Sequence, residues 1–124
     1  MAQSTSDGEV ILVVEDEPLI MMDAIDILYD AGFRTVEATS AAEAIAILNG
    51  RNDVAAVFTD VQIVGDPDGL RLAHMVRDRW PPVGSVVTSG RVMPAASELP
   101  VGGTFLPKPY SPEALVSRLR SVIP

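Results

Sequence analysis

Three short runs constrain this chain more than any other feature: Val10-Ile-Leu-Val-Val14, Val54-Ala-Ala-Val-Phe58 and Val83-Gly-Ser-Val-Val87. Each is Val-rich, nearly free of polar residues and bounded by turn or charged residues. That pattern belongs to strands of a parallel sheet buried on both faces, because a half-exposed strand alternates apolar with polar. A sheet of this kind needs helices over both faces, and the intervening sequence supplies them. Leu19 to Ala31 carries Met21, Ile25 and Leu28 on one stripe, and Ala41, Ala44, Ile45 and Leu48 repeat the spacing. Met22 is read with Met21 as core filling. Gly69 to Trp80 turns Leu72, Ala73, Val76 and Trp80 inward, and Ser111-Pro112 opens a last helix with Leu115, Leu119 and Val122.

Boundary signals agree with these elements. Ser40 with Glu43 makes a capping box, Gly32 and Gly50 stand where helices stop, and Pro81-Pro82 ends the third helix. Phe33 to Ala38 alternates and suits an edge strand, while Gly103 to Leu106 forms a shorter fifth strand. Between the fourth and fifth strands, Pro94 and Pro100 leave room for about two helical turns. The fourth helix is therefore expected to be short or mobile, with Gly90 freeing the loop before it. Right-handed crossovers then give an α/β, flavodoxin-like, doubly wound sheet of five parallel strands in the order 2-1-3-4-5.

A chain of 124 residues, 48% hydrophobic and 21% charged, fills one domain. That domain is expected over residues 9–124, after a disordered polar lead over 1–8. Nine basic against 17 acidic side chains give a net charge of −8, which opposes binding to nucleic acid or to anionic membranes. The absence of Cys excludes disulfides and thiolate chemistry and suits a reducing cytoplasm. No apolar run approaches the ~20 residues of a membrane span.

Ligands of doubly wound sheets bind beyond the carboxyl ends of the strands, near the switch point between strands one and three. Glu15-Asp16-Glu17, Asp60, Thr88-Ser89-Gly90 and Lys108-Pro109 all fall at such ends. Carboxylates within ~4 Å repel by ~4 kcal/mol at an effective dielectric near 20, so a cation should share the site. Mg2+, with oxygen ligands and retained waters, is the natural candidate. Lys108 adds a positive charge suited to a phosphoryl oxygen. His74, flanked at helical spacing by Arg71, Arg77 and Asp78, reads as solvated surface.

The motifs VVEDEP at 13–18, FTDVQIVGDPDG at 58–69, VTSG at 87–90 and FLPKPY at 105–110 resemble those of the receiver domains of bacterial two-component response regulators. Four motifs in the family's order, spanning about Val10 to Ile123, make the resemblance specific. It implies that Asp60 accepts a phosphoryl group, and that Mg2+ is held by Asp16, Asp60 and the backbone carbonyl of Gln62, with Glu15 acting through a metal-bound water. It further implies Ser89 as the switch hydroxyl, Lys108 as the phosphoryl-binding ammonium, Phe105 as an aromatic that moves with the hydroxyl, and a cis Lys108-Pro109 bond. The implied partners are a histidine kinase or histidine phosphotransfer protein and an unknown downstream protein. The implied chemistry is phosphoacceptance with slow self-dephosphorylation, not enzymatic turnover.

The chain also departs from the family. Glu15 stands where Asp is commoner, Ile63-Val64 replaces a usual Met-Pro pair, Asp66 and Asp68 add acids to the loop, and Gly90-Arg91 follows the hydroxyl. Competing classes fare less well. A haloacid dehalogenase-like phosphatase wants a second Asp where Gln62 stands, and a flavodoxin-like nucleotide site would find its phosphate repelled by Glu15-Asp16-Glu17. A phosphorylation-independent interaction module usually lacks the acids or the Lys retained here. A stand-alone regulator and the receiver of a hybrid kinase would read alike.

Overall fold

A computed structural model describes residues 8–63, 68–91 and 93–124. Apart from Gly8, the expected N-terminal lead lies outside the described residues, as do Val64 and Asp66. Five parallel strands, β1 (Val10–Val14), β2 (Arg34–Ala38), β3 (Val54–Asp60), β4 (Gly84–Ser89) and β5 (Thr104–Pro107), form one sheet in the order β2-β1-β3-β4-β5. Helices α1 (Pro18–Asp30), α2 (Ala41–Gly50), α3 (Gly69–Arg79) and α4 (Pro112–Val122) cover it.

The alternation of β1 divides the core. Val10, Leu12 and Val14 meet Ala41, Ala44 and Leu48 of α2 and Leu72 and Val76 of α3. Ile11 and Val13 turn the other way, toward Met21, Ala24 and Leu28 of α1 and Leu115 and Leu119 of α4. Burial on both faces explains why these strands lack polar residues until their ends. Strands β3 and β4 outrun their apolar segments, because the ladder continues through the polar pair Asp60 and Thr88. Those last residues carry polar side chains to the rim of the sheet.

Local signals set most helix ends. Ser40 Oγ accepts from Glu43 N, while Glu43 Oε1 reaches back to Thr39 N at 2.6 Å, one residue before the expected capping-box partner. Gly32 ends α1 at φ +93°, a left-handed conformation that glycine adopts without strain. Gly50 differs from its reading as a stop, being the last residue of α2, with extended Arg51 closing the helix. Met22 is 60% exposed, so of the two adjacent methionines only Met21 fills the core. Trp80 and Val122 are half-buried at their helix ends.

Among its described residues the β4–β5 connection carries one three-residue 3-10 turn, Ala96–Glu98. Pro94 and Pro100 confine it, and the short fourth helix shrinks to that minimum. Among the described glycines only Gly32 and Gly102 have positive φ, so Gly90, read as freeing this loop, has no left-handed backbone here.

Candidate functional site

At the carboxyl rim, β1, β3 and β5 deliver Glu15, Asp60 and Lys108 to one point. Lys108 Nζ donates to Asp60 Oδ2 at 2.5 Å and to Glu15 Oε1 at 3.3 Å. Both carboxylates are almost fully covered, Glu15 at 5% and Asp60 at 7% exposure. Their other oxygens are held by backbone. Asp60 Oδ1 accepts from Gln62 N at 2.9 Å, and Glu15 Oε2 accepts from Glu17 N at 3.1 Å. Asp16 is half-buried beside them.

The turns after the strands impose this arrangement. Glu17 caps α1, its carboxylate accepting from Leu19 N, and Pro18 fills the first helical turn, where no backbone donor is needed. The loop after β3 re-enters helix through Asp68, whose carboxylate accepts from Arg71 N at 2.9 Å. Gly69 then passes so close to the end of β3 that a Cβ there would lie 1.8 Å from the Asp60 carbonyl oxygen. The Gly69 N–H donates to Val61 O, locking the start of α3 beneath the acidic residue. The Lys108-Pro109 peptide is cis, as the resemblance implied.

Burial pushes the Glu15 carboxyl above its ordinary value, the Asp60 charge adds to that, and the Glu17 N–H and Lys108 offset part of it. Burial works against the Lys108 ammonium, but the hydrogen bonds and charges of Asp60 and Glu15 outweigh it and raise its pKa. Lys108 is thus held charged between its two acids. Three carboxylates against one ammonium still leave the rim negative. Among the described residues no three His, Asp or Glu side chains gather closely enough to hold a metal unaided. A cation would complete its shell with backbone carbonyl and water, a donor set that Mg2+ accepts and Zn2+ does not prefer.

Ser89 is buried at the end of β4. Its Oγ accepts from Arg91 N at 3.2 Å, and its carbonyl accepts from Lys108 N at 3.1 Å. Phe105 is half-buried and packs with Leu70 and Leu99 over Val61, Ala73 and Val87. Arg118 of α4 donates to the Phe105 carbonyl and, at 3.2 Å, to Thr104 Oγ1. On the opposite face Tyr110 stacks edge-on against Phe58, ring centroids 5.7 Å apart. Its phenol is pushed up to about 12 by burial and by the carboxylates of Asp23, Glu15 and Asp60. A cavity of about 530 Å³ opens there, between Leu19, Ile20 and Asp23 of α1 and Lys108-Pro109-Tyr110.

Sequence reasoning thus located every residue at the rim but missed some of what holds them. Arg118 carried no signal apart from helical spacing, and Tyr110, although the last residue of the FLPKPY motif, was given no role. His74, read as solvated surface, is exposed yet also bonded, its Nε2 lying 2.6 Å from the Glu98 carbonyl.

Two buried acids and a lysine converge over β1, β3 and β5 at the switch point of a doubly wound sheet, where such folds bind their ligands. The chain belongs to the response regulator receiver domain family, which matches residues 11–120. Such domains serve two-component and phosphorelay signal transduction. The sensor kinase CckA of Brucella abortus is 31% identical over 98% of this chain, although the chain spans only 13% of that kinase's length. A response regulator receiver protein from Sinorhizobium medicae superposes with a TM-score of 0.84 at 28% identity, covering 95% of this chain and 96% of its own. The receiver domain of NtrX from Brucella abortus superposes with a TM-score of 0.79 at 32% identity, over 90% and 97% of the two chains. Among the described residues no helix is long and apolar enough to cross a membrane.

Proposed function

We propose that this receiver domain takes a phosphoryl group on Asp60 from a phosphohistidine of a histidine kinase or histidine phosphotransfer protein, and that the phosphorylated state alters a surface read by a downstream protein. The observation that carries the reading is the position of Lys108 Nζ, shared between Asp60 Oδ2 and Glu15 Oε1 at the rim. In that place an ammonium can pass from the carboxylate to a phosphoryl oxygen without crossing the site.

A carboxylate is a weak nucleophile toward an anionic phosphoryl group, so neighbouring positive charge must offset the repulsion. An Asp60 oxygen attacks phosphorus in line with the departing imidazole nitrogen. The P–N bond breaks with its electron pair going to that nitrogen, and an acyl phosphate forms on Asp60. The Gln62 N–H holds the other carboxylate oxygen and fixes the line of attack. Asp16, Asp60 and the Gln62 carbonyl would hold Mg2+, with Glu15 acting through a bound water. The metal would supply charge neutralisation for the phosphoryl oxygens. Slow hydrolysis of the acyl phosphate returns the resting state, and Ser89, at the end of the neighbouring strand, is the hydroxyl placed to meet the new oxygens.

Intact-mass measurement after incubation with acetyl phosphate and Mg2+ tests this. One added phosphoryl group is expected, absent in EDTA and absent in Asp60→Asn. Unchanged labelling of Asp60→Asn, or full labelling in EDTA, would overturn the assignment.

A further inference from the structure

The chain has a single histidine, and it bridges two elements that the backbone does not connect. From the exposed side of α3, His74 Nε2 approaches the backbone carbonyl of Glu98 to 2.6 Å, across 24 residues of sequence. A carbonyl can only accept, so the ring nitrogen facing it carries the hydrogen and donates. Glu98 closes the Ala96–Glu98 turn, the only regular piece of the β4–β5 connection among the described residues. The turn is otherwise held mainly from within: Glu98 N donates to Ala95 O, and Ala95 N donates to Glu98 Oε1. Its neighbour Leu99 packs on Val61, Ala73 and Val87 beside Phe105. At the other end of the connection, Arg91 N is tied to Ser89 Oγ. Among the described residues the segment thus has a polar tether to the rim, one to α3, and an apolar anchor shared with Phe105.

We propose that His74 is a positioning residue, a latch that holds the β4–β5 segment against α3 in the resting state and so opposes the rearrangement that follows phosphorylation. The proposal rests on the phosphoacceptor reading of Asp60. When Ser89 Oγ turns toward the rim, Arg91 N loses its acceptor and the start of the segment is released. The His74 bond to the Glu98 carbonyl then still holds the segment to α3 and opposes its movement. The latch therefore sets how readily the segment moves, while His74 itself touches neither the acids nor the lysine of the site.

Two variants separate donation from bulk: His74→Phe keeps an aromatic ring without the donor, and His74→Gln keeps a donor of similar reach. In the unphosphorylated protein, hydrogen exchange at Glu98 and Leu99 should quicken about two- to tenfold in His74→Phe, the worth of one such hydrogen bond, and return toward wild type in His74→Gln. With Mg2+ and beryllofluoride, His74→Phe should bind the phosphoryl mimic two- to tenfold more tightly, with His74→Gln again close to wild type. Unchanged exchange in His74→Phe, or equal effects of Phe and Gln, would overturn the latch. Quickened exchange with unchanged beryllofluoride affinity would overturn its regulatory role. A wild-type protein that binds no beryllofluoride would instead overturn the phosphoacceptor reading and the coupling that rests on it.

Discussion

Gly69 shows how a single missing side chain sets the reactive geometry. With no Cβ, the first turn of α3 slides under the carboxyl end of β3, and the Gly69 N–H reaches Val61 O at 2.9 Å. Adding one methyl would drive it into the Asp60 carbonyl, 1.8 Å away, where the neighbour is backbone and cannot swing aside. The expected outcome for Gly69→Ala is a loss of about 1–3 kcal/mol in urea-induced unfolding, despite the better helix propensity of Ala. Phosphoryl incorporation should slow as well, because the displaced element carries Asp60. Unchanged stability would mean that the close approach relaxes freely. The glycine was legible as the start of a helix, but not as a packing requirement, since the clash depends on a strand nine residues earlier. Asp68 was similarly read as one more acid in the loop, whereas its carboxylate is engaged in capping α3.

Among the elements, the strands and the helices with an apolar stripe were legible to within a residue or two, whereas what anchors the β4–β5 connection was not. Helix α1 was placed within a residue, because Met21 and Leu28 recur at helical spacing and both are buried. The β4–β5 connection has no such stripe. Its remaining anchors, Leu99 over Ala73 and the His74 bond to Glu98, are tertiary and leave no periodic trace. The turn after β5 is another tertiary junction, where Tyr110 is wedged against Phe58 and faces the carboxylates of α1 and the rim. Burial and those charges push its phenol from 10.0 up to about 12. A raised pKa means that the folded protein holds this proton more tightly than the unfolded chain does. The corresponding stability is complete below the unfolded value and is lost as pH rises from about 10 through about 12. Alkaline absorbance titration should show a phenolate step near the upper end of that window that disappears in Tyr110→Phe. The variant should also lose part of the fall in stability across it. A Tyr110 step near 10 would mean that the ring is solvated and the junction open.

At the scale of the whole molecule, the chain carries a net charge of −8 and concentrates carboxylates where β1 and β3 end. Glu15 and Asp60 lie buried on either side of Lys108, with Asp16 half-buried next to them, so the folded state bears a repulsion that the extended chain would dissipate. The Glu15 carboxyl is raised above its ordinary value chiefly by burial, and the repulsion from Asp60 adds to that. A divalent cation that binds the folded rim and not the unfolded chain must stabilise the protein in proportion to its occupancy. At ten times the dissociation constant the gain is about 1.4 kcal/mol, a rise of roughly 4–7 °C in melting temperature for a domain of this size. The expected result is a Tm that climbs with MgCl2 and saturates, while NaCl at matched ionic strength leaves most of the effect unreproduced, because screening acts weakly on buried charges. Asp16→Asn separates ligation from general charge relief. Neutralising that side chain should raise the Tm of the metal-free protein, since one repulsive partner is gone, and should weaken or abolish the MgCl2 dependence, since one oxygen ligand is gone. A variant that melts like wild type without metal and still responds fully to MgCl2 would remove Asp16 from the metal shell and send the search to the Glu15 side of Lys108.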